Sequence, residues 1–322
     1  MKLHENRRLF ADAVRVTAQT LSIEPEFVEK DYWICRILQR LARHQNSGSI
    51  VWKGGTSLSK AYKLIQRFSS DVDFAVIGEN LSQNQLKKLV TRIGKDTTID
   101  LTEIESEGQT LKSNRYRKTY HQYDSIIAEP NSRYNFLGNH VIVEINTYGN
   151  PYPYVEKQVQ TFITEMMAQR GLTDMIREMD MEPFTLNVLD KRRTLCEKVV
   201  SLLRFSFEDD PIHGLSSKIR HFYDLHFLTL DKECADYLHT DFAKDLPDLI
   251  AHDKREFDRP PRWRDSDLLA SVLFTDFNAV WQRISPLYLS EVGALSYAEI
   301  PDKEIIADSI RKLLVRVKDI IK

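Results

Sequence analysis

Two short β-rich runs, SIVWK at 49–53 and DVDFAVI at 71–77, stand on either side of a double glycine and a segment of helical spacing, GGTSLSKAYKLI at 54–65. Glycines interrupt a strand, and hydroxyl residues favour the start of a helix. The order strand, turn, helix, strand is therefore imposed within one short stretch, and any fold for this chain has to contain it.

The rest of the chain arranges itself around that unit. Helical spacing runs over 5–20 and again over 24–43, where Glu24 and Pro25 open the helix and Phe27, Trp33, Ile34, Ile37, Leu38 and Leu41 form a broad apolar face. Ser82 caps a further helix reaching about Lys95, and β-leaning segments follow near 98–105, 114–127 and 139–147. Beyond PYPY at 151–154 the pattern turns helical over 159–179, 190–207, 215–230, 233–253, 266–284 and 302–321, with TLNVLD at 185–190 as one last short strand. The expected class is α+β: a mixed sheet with an N-terminal helical layer (1–48) in a domain spanning 1–180, and a mainly helical domain over 181–322 that closes a cleft. At 322 residues and 42% hydrophobic content the chain is long enough for two cores without disulfide or metal support.

Within DVDFAVI, alternation places Asp71, Asp73 and Ala75 on one face and Val72, Phe74 and Val76 on the other. At a strand's rise the two aspartate Cα atoms lie about 6.6 Å apart, near enough for both carboxylates to meet one hard cation or bridge two. Side by side they repel, and a divalent ion removes that cost. A lone Asp-x-Asp also fits an ordinary solvent-facing strand. HVIVEINTYG at 140–149 carries a third carboxylate, because its alternation sets Glu144 with Ile142 and Asn146, opposite Val141, Val143 and Ile145. If this strand neighbours DVDF, then Asp71, Asp73 and Glu144 form the three-carboxylate site of two-metal phosphoryl and nucleotidyl transfer.

GGTSLSK is not a Walker A loop, which needs GxxxxGK followed by Ser or Thr; here Lys60 follows no glycine. A P-loop ATPase is disfavoured. The turn still suits an anion: Gly54 and Gly55 permit close backbone approach, Thr56 and Ser57 offer hydroxyls, the helix start offers free N–H groups, and Lys60 adds a cation. The same turn also occurs as plain structural punctuation.

Joined together, the GG-T/S turn, the short helix and the Asp-x-Asp strand resemble the signature of polymerase-β-like nucleotidyltransferases. WKGGTSLSKAYKLIQRFSSDVDF at 52–74 is similar in its local form to the AbiEii/AbiGii toxin family, which includes MenT-like members. Glu29, Lys30, Asp31, Tyr32 and Trp33 match that family's EKDYW-like segment. Thr194, Glu197 and Lys198 match its T-x-x-E-K motif, and Arg220, His221, Tyr223 and Asp224 its R-H-x-Y-D-L motif. The interval from Gly55 to Asp71 is longer than in the general superfamily but suits this family. The resemblance spans most of the chain and implies that Lys198 and Asp224 belong to the active site. Read without it, Lys198 beside Glu197 is an ordinary solvated helix face. As chemistry, a lysine supplies a point charge for a triphosphate, and an aspartate nearby fixes that ammonium or orients the attacking hydroxyl.

The resemblance further implies a nucleotidyltransferase toxin of a bacterial toxin–antitoxin or phage-defence system. It would use an NTP with Mg2+ or Mn2+, act on an RNA acceptor, in MenT-like members the tRNA 3′ end, and have an AbiEi-like antitoxin as partner. Two segments interleave basic and aromatic residues as RNA binding requires: LKSNRYRKTYHQYD at 111–124 and HDKREFDRPPRWRD at 252–265. The near balance of 45 basic and 47 acidic side chains means that such attraction has to be local. Cys35, Cys196 and Cys234 are far apart and odd in number, so neither a disulfide framework nor a zinc site is indicated. With no signal-like or membrane-length apolar run, a soluble cytoplasmic protein is expected. Two other functions fit the same residues: an NTP-binding interaction protein without turnover, and a nucleotidyltransferase acting on a small molecule.

Overall fold

The computed structural model describes residues 1–78, 81–106, 108–128, 131, 134 and 137–322. The chain forms two compact units, Met1–Lys63 with Phe68–Leu189, and Leu64–Arg67 with Asp190–Lys322. The division was expected at 180/181. It falls after Leu189 because the strand Phe184–Leu189 is hydrogen-bonded into the sheet of the first unit.

That sheet is mixed and has eight strands: β1 (Ile50–Lys53), β2 (Asp71–Val76), β3 (Thr102–Ile104), β4 (Leu111–Lys112), β5 (Tyr116–Gln122), β6 (His140–Asn146), β7 (Tyr154–Val159) and β8 (Phe184–Leu189). Their order is β3-β5-β6-β2-β1-β8-β7, with β4 paired to β5. β1 and β2 run antiparallel, β2 and β6 parallel. One face is apolar: Val72, Phe74, Val76, Val141, Val143 and Ile145 are buried, which is the alternation that their sequence spacing predicts. The sequence pattern assigns no element to 155–158, so β7 is an addition, and it ends at the residue where a helix was expected to begin. Its Glu156, Lys157 and Gln158 mask the alternation, as charged residues commonly do on edge strands.

Among the described residues, six α-helices complete this unit: α1 (Arg7–Leu21), α2 (Pro25–Arg43), α3 (Gly55–Lys60), α4 (Gln83–Thr97), α5 (Phe162–Gln169) and α6 (Thr173–Glu178). Ser82 caps α4 in a reciprocal box with Gln85, as its position suggests. α4 lies over the apolar face, where Gly94 sits against Ile145 and Arg117. α2 is buried over nearly its whole length, including the charged side chains Glu29, Lys30, Asp31 and Arg36.

The second unit contains α7 (Lys191–Phe205), α8 (Pro211–Ser216), α9 (Ile219–Leu230), α10 (Lys232–Leu238), α11 (Phe242–Glu256), α12 (Val272–Thr275), α13 (Phe277–Leu287), α14 (Gly293–Leu295) and α15 (Lys303–Ile321). Three long helices expected here are split. Ser217 and Lys218 interrupt 215–230, His239 to Asp241 interrupt 233–253, and Ser271 and Asp276 end one short helix and cap the next within 266–284. Only the third break carries side-chain caps, Ser271 accepting from the Leu273 N–H and Asp276 from the Ala279 N–H, and such caps stop a helix that apolar spacing alone would continue. The segment 64–67 joins this unit through Ser296 and Tyr297, whose hydroxyl and backbone N–H donate to the Gln66 carbonyl.

Candidate active site

Strand pairing builds a row of charges on the half-open face of the first unit's sheet. Lys53 on β1 pairs with Asp73 on β2, Asp73 with Glu144 on β6, and Glu144 with Lys118 on β5. Paired residues project to the same side, and neighbouring strands lie about 4.8 Å apart. Asp71 belongs to the same face, one step along, beside Ile142. The sheet thus brings together the three carboxylates singled out from the sequence, on one surface that remains partly open.

Their environments differ. Asp71 accepts a hydrogen bond from the Ser70 hydroxyl at 3.0 Å, and its backbone carbonyl accepts one from the Thr56 hydroxyl. Asp73 lies directly against Gly54, which has φ 85° and ψ −171°; a Cβ placed on Gly54 would sit 2.1 Å from Asp73 Oδ2. The first glycine of the pair is therefore required both by its backbone conformation and by the carboxylate packed on it. Glu144 is already engaged, its Oε1 2.9 Å from the Lys118 ammonium and its Oε2 accepting from the Tyr116 hydroxyl at 2.8 Å. Burial works against the charge of Lys118, but Glu144 outweighs it and leaves the ammonium's pKa raised; burial, reinforced by Glu144, keeps the Tyr116 phenol protonated.

Among the described residues no group of three or more His, Cys, Asp or Glu side chains is arranged to hold a metal ion. The expected three-carboxylate arrangement is thus reduced to two aspartates and a glutamate bound by a lysine and a tyrosine. Two carboxylates still fit Mg2+, which commonly takes one or two from the protein and the rest from water and substrate phosphates.

Around the turn, Gly54 precedes α3 and has no side chain to cap it, so the first backbone N–H groups of Gly55, Thr56 and Ser57 form an uncapped helix start. The hydroxyls expected to meet an anion are turned to the backbone: Thr56 donates to the Asp71 carbonyl and Ser57 to the Gly54 carbonyl at 2.8 Å. Lys60 is a further correction. It is buried, 2.5 Å from Asp31 and over the Phe162 ring, because it lies on the inward side of α3 facing α2.

Asp31 belongs to the EKDYW segment, and each of the five residues there contacts a segment remote in sequence. Glu29 accepts from Ser125 and Ile126, Lys30 donates to the carbonyls of Leu137 and Gly138, and Asp31 holds Lys60 and the Phe162 N–H. The Tyr32 hydroxyl meets His4 at 2.7 Å, and Trp33 stacks on Tyr123. This motif reads as scaffold beneath the site.

In the second unit, α7 and α9 bring Lys198 and Asp224 together. Asp224 is fully buried; its Oδ2 is 2.8 Å from the Lys198 ammonium, and both its oxygens accept from Arg67, at 2.8 and 2.7 Å. Burial alone would raise the Asp224 pKa, but Arg67 and Lys198 together hold it well below the usual carboxylate range. An acid so held is a poor proton acceptor, and the geometry shows it paired with the Lys198 ammonium and the Arg67 guanidinium. His221 lies beside this cluster with its own pKa well lowered, by burial first and then by Lys198, so it is neutral there. Sequence reasoning missed Arg67. The available signal was Asp224 itself, since an aspartate within the apolar run FYDLHFL has to be paired when buried.

The two basic segments are committed to structure only in part. Lys112 pairs with Glu103 and Glu105, and Lys118 with Glu144. In 252–265, Trp263 is buried beneath Lys254, and Phe257 carries Arg204, leaving Arg255, Arg259, Arg262 and Arg264 exposed.

A family model described as nucleotidyl transferase AbiEii toxin, type IV toxin–antitoxin system, matches residues 36–301. The chain belongs to this family. As an AbiEii member it is a nucleotidyltransferase toxin, with a nucleotide substrate and an antitoxin partner, from a family that uses NTP and divalent metal. Among solved structures it is similar to MenT4, nucleotidyltransferase toxin Rv2826c from Mycobacterium tuberculosis H37Rv, at 14% identity over 93% of this chain and 98% of that one, with a TM-score of 0.39. No curated protein matches the chain. Among the described residues no helix of this AbiEii member is long and apolar enough to cross a membrane.

Proposed function

We propose that this AbiEii toxin transfers a nucleoside monophosphate from an NTP to the 3′ end of an RNA acceptor, tRNA, in a Mg2+- or Mn2+-dependent reaction. The observation that carries this reading is the pair Asp71 and Asp73 on one half-open strand face, with Asp73 seated on the Gly54 turn. Asp71 and Asp73 would hold the cation. When bound, it neutralises charge at the α-phosphate and lowers the pKa of the acceptor hydroxyl.

The chain's own residues do the rest. The uncapped N–H groups of Gly55, Thr56 and Ser57 receive phosphate oxygens, with Gly54 allowing close approach. Lys198 supplies a fixed positive charge for the departing pyrophosphate, and Asp224 with Arg67 holds it in one orientation. A single stretch, 64–73, carries Arg67 of one cluster and both aspartates of the other. The exposed arginines 255, 259, 262 and 264 offer phosphate contacts for an acceptor.

The test is incubation of the purified chain with radiolabelled NTPs, Mg2+ and total tRNA. Label should appear on tRNA, and Asp71→Ala, Asp73→Ala, Lys198→Ala and Asp224→Ala should abolish it while circular dichroism remains native. Binding of NTP with no transfer to any acceptor, or label on a small molecule and never on RNA, would refute the RNA reading.

A further inference from the structure

Glu144 was singled out from the sequence as a metal carboxylate, yet both its oxygens are taken by neighbours on β5. The Lys118 ammonium and the Tyr116 hydroxyl sit at 2.9 and 2.8 Å. The pairing register makes this arrangement specific, because Lys118 is the direct cross-strand partner of Glu144, which is in turn the direct partner of Asp73. A metal on the Asp73 side would therefore have to compete with this lysine for the same carboxylate. Without Lys118, three carboxylates would crowd one patch of a sheet, a repulsion that a built-in cation relieves.

We propose that Lys118 is a resident counter-cation that occupies Glu144, so that Glu144 becomes a metal ligand only when Lys118 is removed from it. Tyr116 steadies the glutamate in the occupied state from its second oxygen. Both Lys118 and Glu144 keep about a quarter of their side-chain surface exposed, at 27% and 22%. A pair of that kind contributes modestly and can be displaced. The ammonium stays within reach of the aspartate face, where phosphate oxygens of an incoming nucleotide would compete with Glu144 for it.

This inference rests on the reading of Asp71 and Asp73 as the metal carboxylates, and the test separates the two. Mn2+ is titrated into the full purified chain without nucleotide, by calorimetry and by electron paramagnetic resonance of free Mn2+. Wild type should bind Mn2+ and Asp73→Asn should not; failure there overturns the metal reading itself. With that in place, Lys118→Met should bind Mn2+ about two- to five-fold more tightly, the factor expected for removing a partly exposed ion pair. Glu144→Gln alone should change affinity by less than about two-fold, because the glutamate is already taken, and adding Glu144→Gln to Lys118→Met should erase the gain. Thermal melts confirm that each variant is folded, and Lys118→Gln serves in place of Lys118→Met if the latter is not. Unchanged or weaker binding in the lysine variant, or loss of Mn2+ binding in Glu144→Gln alone, would overturn the proposal.

Discussion

Replacing Gly54 by alanine should damage the site more than it damages the fold. The residue sits at φ 85° and ψ −171°, a region open almost only to glycine, and holding alanine there costs about 2 kcal/mol. For a unit of this size that lowers the melting temperature by roughly 4–8 °C. The contact adds a second effect: the new methyl would lie 2.1 Å from Asp73 Oδ2, 3.0 Å from Cγ and 3.3 Å from Cβ. The carboxylate has to swing away from the turn, and the Asp71–Asp73 pair no longer faces one point. Gly171 provides the control, since it also has positive φ, at 72°, but nothing within 4 Å of its Cβ position. Gly171→Ala should therefore lose about 1 kcal/mol and keep its activity. The assay is labelled-nucleotide transfer measured at a temperature where both variants are fully folded, together with Mn2+ affinity. Gly54→Ala should lose transfer by at least about a hundred-fold, a deficit that persists at saturating NTP, because misplacing a reacting centre by about 1 Å has that effect. If Gly54→Ala melts lower but transfers nucleotide as well as Gly171→Ala, the coupling of turn to carboxylate is wrong.

Lys60→Met should strip the buried Asp31 of its counterion and cost about 3–5 kcal/mol in urea unfolding; a variant of parental stability with only NTP affinity impaired would return Lys60 to the phosphates. Burial lowers the Lys30 pKa from 10.5 to about 7. Between those values the unfolded chain binds more protons, so the stability of wild type relative to Lys30→Met should rise by about 2 kcal/mol from about pH 7 to about pH 9, and a level difference would refute it. Asp224 is the opposite case, with its folded pKa below the unfolded one despite burial, because of Arg67 and Lys198. Its contribution is fully present above about pH 4 and is lost only as pH falls further, so urea unfolding should show a constant gap between wild type and Asp224→Asn from about pH 5 to about pH 9. Arg67→Met should abolish nucleotide transfer as completely as Lys198→Met does, with a native dichroism spectrum; full transfer by Arg67→Met would separate the arginine from the lysine's role.

What could be read from the sequence and what could not divides by distance along the chain. Asp71 and Asp73 share a strand, so period-two alternation alone placed them on one face, and the same rule sorted Glu144 from Val143 and Ile145. The turn at Gly54 is equally local. By contrast, Lys60 looked like a phosphate contact because its counterion lies on another helix, and Glu144 looked free because Lys118 arrives from the neighbouring strand. Arg67 stands four residues before Asp71, yet its partner is Asp224, 157 residues away. The unassigned β7 and the break within 266–284 have a related cause: edge charges hide a strand, and a capping hydroxyl or carboxylate, here Ser271 and Asp276, overrides apolar spacing. A charged residue's type is visible in isolation, whereas its commitment depends on the partner that tertiary structure supplies. The EKDYW segment shows how far this goes, because five polar or aromatic residues that would suit a catalytic motif are each bonded or stacked to a segment remote in sequence. Matching residues of a family therefore need not touch substrate; here one group ties α2 to the neighbouring segments, and in the function proposed above the chemistry falls instead to the carboxylates on the half-open face of the sheet.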